Sequence, residues 1–114
     1  MELLNHQNMF VEDIIKLLAY MQSQGHLTSL ADAYRDPAVA EVYAKLGKGI
    51  VHSQHSQRLA LDVNLFDSQG TYLSTEQPYA NSGKYWESLR PCNRWGGNFP
   101  RKDADHFECS FGAQ

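Results

Sequence analysis

The sequence is poor in the features that mark specialised protein classes, and each shortage excludes something. Two cysteines, Cys92 and Cys109, are too few for a disulfide framework and lack CxxC spacing, so free or buried thiols are expected. Lys and Arg form no stripe, and the formal net charge of -3 argues against nucleic acid or an anionic membrane as partner. Long apolar runs are missing. Lys16 interrupts the longest one, leaving no candidate for membrane insertion, and Met1 to His6 lacks the basic and apolar regions of a signal peptide. Export by the usual route is therefore not expected. No GxGxxG, P-loop or GxSxG elbow occurs, so nucleotide binding and serine hydrolysis have no support. No linker composition, repeat or low-complexity tract divides the chain, and residues 1–114 read as one domain, expected to be monomeric.

What is present is an ordinary globular composition, with 42% hydrophobic and 20% charged residues in 114. A chain of this length can bury roughly two thirds of its unfolded surface, so it needs no metal merely to hold a core. Phe10, Ile14, Leu17, Leu18 and Met21 recur at helical spacing, with Asn8 placed to cap the start and Gly25 to end the helix. Residues Leu27 to Tyr34 alternate and read as a short strand, preferred over a competing helical reading. Asp36-Pro37 starts a second helix, with Val39, Val42, Tyr43 and Leu46 on one face and Gly47 as its stop; Glu41 and Lys45 make a weak surface pair. Leu59 to Phe66 reads as a strand, Asp67 to Gly70 as a turn, and Thr71 to Leu73 as the return strand of a hairpin. Tyr85, Trp86 and Leu89 suit a short helix before Pro91, Trp95-Gly96-Gly97 a turn, and Ala104 to Phe111 a last strand. The expected class is α+β, a single small domain with helices packed on an antiparallel sheet.

The chemistry concentrates in Ser53 to Asp62 and Asp103 to His106. His55, Asp62 and His106 are nitrogen and oxygen donors suited to Zn²⁺, and three such ligands leave a fourth tetrahedral position for water. On a strand Asp62 points with Ala60 and Asn64, opposite to Leu61, Val63 and Leu65. His55 is too far back to share that face, so the Ser56-Gln57 region should loop to bring it alongside. Asp103, in the turn before His106, is the best general base; Asp105 should point to the opposite strand face, and Glu108 shares the parity of His106 and could orient its ring. Arg35 could reach a substrate carboxylate or an oxyanion, or simply pair with Asp32 or Asp36. Tyr85, Trp86 and Trp95 could wall a cleft but are more often core at such spacing. His52 is spaced from His55 as on a helix, without an apolar helical face to support one. His6 and His26 are given no role.

These residues resemble a known family. SxHxxxxAxD, here Ser53, His55, Ala60 and Asp62, followed by Asp103 and His106, is similar to the D-alanyl-D-alanine carboxypeptidase and dipeptidase group of zinc peptidases. The resemblance is strongest to its small phage endolysins, the L-alanyl-D-glutamate peptidases. It extends through Tyr34-Arg35, Gly47-Lys48-Gly49, Leu65-Phe66, Tyr85 to Leu89, Asn93 to Gly97 and His106-Phe107-Glu108, roughly residues 10 to 110. It implies zinc held by His55, Asp62 and His106, Asp103 as base, Arg35 assisting at the substrate, and peptidoglycan stem peptides as substrate. It also implies action on the wall after release from a host cytoplasm through a membrane lesion, with no separate wall-binding domain. Arg58 stands where many members have glycine. Asp103 stands where carboxypeptidases and dipeptidases commonly have Glu, which favours the bacteriolytic endopeptidase branch; the alternatives are a D-alanyl-D-alanine carboxypeptidase or dipeptidase and a non-catalytic zinc-containing wall-peptide-binding module.

Overall fold

Residues 1–48 and 53–112 are described by the computed structural model; His52 and Gly49 lie outside them. The first helix, α1 (Glu2–Ser23), starts at Met1 without a side-chain cap, well ahead of Asn8, because the residues before Asn8 contain no breaker. Its buried stripe is Phe10, Asp13, Leu17 and Met21, and Gly25 follows its end at φ +86°. The chain then runs through β1 (Leu27–Leu30), α2 (Pro37–Lys45), a 3₁₀ turn (Gln54–Gln57), β2 (Ala60–Phe66), α3 (Ala80–Leu89), β3 (Asn93–Trp95) and β4 (His106–Cys109).

The four strands form one antiparallel sheet in the order β1-β2-β4-β3. Its register decides where the chemistry can go. Asp62 stands opposite His106, and Glu108 stands between Ala60 and Arg94, so these side chains share one face. Leu61, Phe107 and Trp95 align on the other face, which joins Val63, Leu65 and Cys109 to Phe10, Leu17 and Met21 of α1 and Trp86 of α3. One face is core and the other is free to carry polar groups.

Trp86 meets Phe10 and Phe107 edge-on, with ring centres 5.6 and 6.2 Å away, and its Nε1 donates to the Glu108 carbonyl at 3.0 Å. Trp86 and Trp95 are thus core and not cleft walls, while Tyr85 stacks on Tyr20 at 4.3 Å. Below the sheet, the fully buried Asp13 carboxylate takes two hydrogen bonds from Arg90 and one from Asn93, tying α1 to the segment that enters β3.

Four expectations change, the first being the strand expected over Leu27 to Tyr34, which ends at Leu30. Asp36 caps α2 by accepting from the Ala38 N–H, but Val39, Val42 and Leu46 are exposed and only Ala40 is buried. The return strand at Thr71 to Leu73 shrinks to a single bridge between Phe66 and Tyr72, because the Asp67 carboxylate takes the Gln69 and Thr71 N–H groups into the turn. The last strand covers only His106–Cys109, and β3 was not anticipated, three residues being too short to show a period. Among the described residues no helix is long and apolar enough to cross a membrane.

Candidate metal centre

Three elements converge on the polar face. His55 comes from the 3₁₀ turn, whose Ser53 hydroxyl accepts the His55 N–H at 3.1 Å. That turn is anchored by buried polar contacts: Gln54 and Gln57 donate to the Phe111 carbonyl, and Gln7 of α1 donates to the Gln57 carbonyl. Arg58 closes it in the left-handed region at φ 61°, with its guanidinium 4.0 Å over the Tyr34 ring. Asp62 comes from β2 and His106 from β4.

The Asp62 Oδ1 lies 3.2 Å from His55 Nε2 and 3.1 Å from His106 Nδ1. A tetrahedral zinc with bonds of about 2.0–2.1 Å needs its ligand atoms about 3.3 Å apart, so these spacings fit. The donor atoms of all three residues fall within 4.8 Å of one another. The far nitrogens are fixed as well. His55 Nδ1–H donates to the Ala33 carbonyl at 2.9 Å, and His106 Nε2–H donates to Glu108 Oε1 at 2.7 Å. Each bond sets a tautomer that leaves a lone pair directed at the shared point. This donor set could hold a metal ion.

Residues 46–109, more than half of the chain, match the family described as D-alanyl-D-alanine carboxypeptidase. The chain belongs to this family. Its members are metallopeptidases acting on peptidoglycan peptides, and this chain is a peptidoglycan peptide hydrolase of that kind. Among solved structures it resembles the L-Ala D-Glu endopeptidase ChiX of Serratia marcescens, at 20% identity and a TM-score of 0.70 over 88% of this chain and 80% of that one. No curated protein matches it. The family match includes His55, Asp62, Asp103 and His106, whereas Arg35 lies before it.

Without a cation the centre of this peptidase is held together by a proton on His106. Burial would raise the Asp62 carboxyl, but hydrogen bonds and positive charge from His106 and His55 outweigh it and hold the pKa at about 2. Burial likewise opposes protonation of His106, yet Asp62 and Glu108 on its two nitrogens raise it to about 9. A cation held by His55, Asp62 and His106 would take the place of that proton.

Asp103 sits on the rim, half exposed, with Oδ2 3.9 Å from His106 Nδ1. Its backbone is clamped, since Asp103 N–H donates to the Gly96 carbonyl and His106 N–H to the Asp103 carbonyl. A Cβ on Gly96 would run into that same Asp103 carbonyl, so only glycine permits the approach. Asp105 corrects the sequence reading. The strand begins only at His106, so strand parity does not reach it, and from the preceding turn its carboxylate joins Asp62 and Asp103 within 4.8 Å. Burial, a hydrogen bond with Asp103 and the charge of Asp62 raise its pKa to about 7.

Arg35 takes the ion-pair reading and also borders the cleft. Its Nη2 pairs with Asp32 at 2.9 Å, its backbone N–H donates to the His55 carbonyl, and its side chain lines the same cleft, of about 610 Å³, as the three donors and Asp103. Sequence reasoning missed Arg94 and Phe99, which also line that cleft. Besides its place in the Asn93 to Gly97 stretch of the resemblance, the signal for Arg94 was the parity it shares with the site across β3, legible once β3 is known.

Proposed function

We propose that this chain is a zinc-dependent endopeptidase of the endolysin type that cuts the L-alanyl-D-glutamate bond of peptidoglycan stem peptides. The observation that carries the reading is the convergence of His55, Asp62 and His106 at zinc-ligand spacing beside the Asp103 carboxylate. Bound there, zinc supplies Lewis acidity, which polarises a carbonyl and lets water ionise near neutral pH. Asp103 on the open rim takes the proton from attacking water as the new C–O bond forms. It returns that proton to the leaving nitrogen as the C–N bond breaks. Arg35 presents its guanidinium to the oxygen that becomes negative in between. Glu108 and the Ala33 carbonyl hold the two imidazoles in register throughout.

The Asp at position 103, shorter than the Glu common in carboxypeptidases, supports the endopeptidase, as does the fold shared with an L-Ala D-Glu endopeptidase. The family description supports removal of terminal D-alanine as the second reading. Digestion of purified peptidoglycan followed by mass spectrometry separates them. The endopeptidase leaves new L-alanine carboxyl ends, and loss of D-alanine alone contradicts it. Chelation abolishes hydrolysis and zinc restores it. Asp103→Asn retains zinc while lowering turnover by about 10²- to 10⁴-fold; unchanged turnover would remove Asp103 from the mechanism. Action on the wall after release from a host cytoplasm belongs to the same proposal.

A further inference from the structure

The chain is acidic overall, yet its cleft is not. Arg35, Lys48, Arg94, Arg101 and Lys102 line it, half of the ten Lys and Arg side chains, against the carboxylates of Asp62, Asp103 and Glu108. Two of those carboxylates are already engaged by imidazoles. Positive charge concentrated at a cleft in a negatively charged chain selects an anionic substrate.

The cations are not equally available. Arg35 is paired with Asp32 at 2.9 Å, Arg101 donates to the Gly47 carbonyl at 2.7 Å, and Lys102 pairs with Glu76 at 3.0 Å. Arg94 differs. Its nearest carboxylate oxygen, Glu108 Oε2, is 3.8 Å away, beyond hydrogen-bond reach, and its side chain is 44% exposed. The guanidinium lies over an apolar wall, 4.7 Å from the centre of the Phe99 ring, and Phe99 in turn stands 5.6 Å from the His106 ring. The ring contact seats the fork on the cleft wall, and among the described residues no acceptor lies within hydrogen-bond distance of it, an arrangement suited to receiving a carboxylate.

The substrate chemistry supplies such a group in a fixed place. In an L-alanyl-D-glutamate bond the peptide continues through the γ-carboxyl, so the α-carbon next to the leaving nitrogen carries its own carboxyl. In a D-alanyl-D-alanine terminus the α-carbon next to the leaving nitrogen carries a free carboxylate too. Both substrates present the same fragment, a nitrogen and a carboxylate on one carbon. We infer that Arg94, held against Phe99, is the receptor for this α-carboxylate, so that cleavage depends on its being ionised and not amidated. The inference rests on the peptidase reading above but not on which of the two bonds is cut.

The test uses the zinc-loaded protein and two pairs of synthetic peptides. One pair carries L-alanyl-γ-D-glutamate with the α-carboxyl free or amidated; the other ends in D-alanyl-D-alanine as free acid or amide. On whichever pair is cleaved, the acid is expected to be preferred in kcat/KM by about tenfold or more, the scale of a charge-assisted contact. Arg94→Gln should abolish that preference by slowing the acid alone, and Arg94→Lys should keep part of it. Equal rates on acid and amide in the unmodified protein, or a preference that survives Arg94→Gln, overturns the inference. So does an Arg94→Gln variant that slows acid and amide alike, which marks Arg94 as a support for Glu108 only. Cleavage of the D-alanyl pair alone, with the preference intact, instead overturns the endopeptidase assignment and leaves the receptor standing. Hydrolysis of none of the four peptides sinks both.

Discussion

Removing the metal should make this protein sensitive to alkali, and His106 sets the sign. Its pKa of about 9 in the folded chain stands above the ordinary 6.5, so folding captures a proton that the unfolded chain releases. The stability linked to that proton is complete below about pH 6.5 and is lost as pH rises through about 9. Over that gap of about 2.5 units, at about 1.4 kcal/mol each, the loss approaches about 3.5 kcal/mol, a large part of the ordinary stability of a domain. Asp62, held at about 2, reports the same ion pair from its acidic side. Its share is lost only as pH falls from about 3.8 towards 2 and is not added to that of His106, whose larger shift also contains Glu108. Asp105, raised to about 7, acts in the same direction as His106, its contribution falling as pH rises from about 3.8 to 7. Urea unfolding of chelator-treated protein at about pH 6 and pH 9 measures the difference, with the pH 9 sample expected to be weaker by about 2–3 kcal/mol. Saturating zinc should reverse the trend, since the cation competes with the proton for the same nitrogen and gains apparent affinity about tenfold per pH unit up to about 9. Metal-free protein as stable at the higher pH as at the lower would refute the reasoning.

Three further outcomes follow from packing. Asp13→Ala takes the shared acceptor from the part-exposed Arg90 guanidinium and the Asn93 amide and leaves a buried gap, and calorimetry should find a loss of about 2–3 kcal/mol; a loss below about 1 kcal/mol would mean the network relaxes freely. Gly96→Ala pushes a methyl group into the Asp103 carbonyl, costing about 1–3 kcal/mol by denaturant titration and, through the displaced carboxylate, turnover as well. Wild-type turnover in that variant would show that the clamp does not position Asp103. Arg58 sits at φ 61°, so Arg58→Gly should unfold later than Arg58→Ala by about 1 kcal/mol, because both lose the Tyr34 contact and only alanine keeps the backbone cost. Equal stability of the two would contradict a strained turn.

The sequence displayed the centre more clearly than the scaffold around it. His55, Asp62 and His106 were legible because metal chemistry restricts residue types, and the parity of Asp62 against Leu61 and Val63 put the acid on the non-core face of β2. α1 and β2 were legible because they are long and periodic. β3 was hidden by its three-residue length, and the exposed apolar side of α2 by the fact that periodicity reports a face without saying what lies against it. Asp105 was misplaced for a different reason. Parity holds only inside a strand, and the boundary between turn and β4 falls at His106, one residue after it. Arg94 and Phe99 could not be seen as neighbours, since a cation laid on a ring from a separate loop leaves no trace in spacing.

The two imidazoles present different atoms to the shared point, Nε2 from His55 and Nδ1 from His106. They are consequently not equivalent under mutation. Glutamine reproduces the reach of Nε2 and asparagine that of Nδ1, so the shape-preserving replacements are His55→Gln and His106→Asn, and exchanging the two would leave one donor short and the other too long. A library aimed at altering metal preference without disturbing the scaffold would therefore be drawn separately for the turn and for the strand.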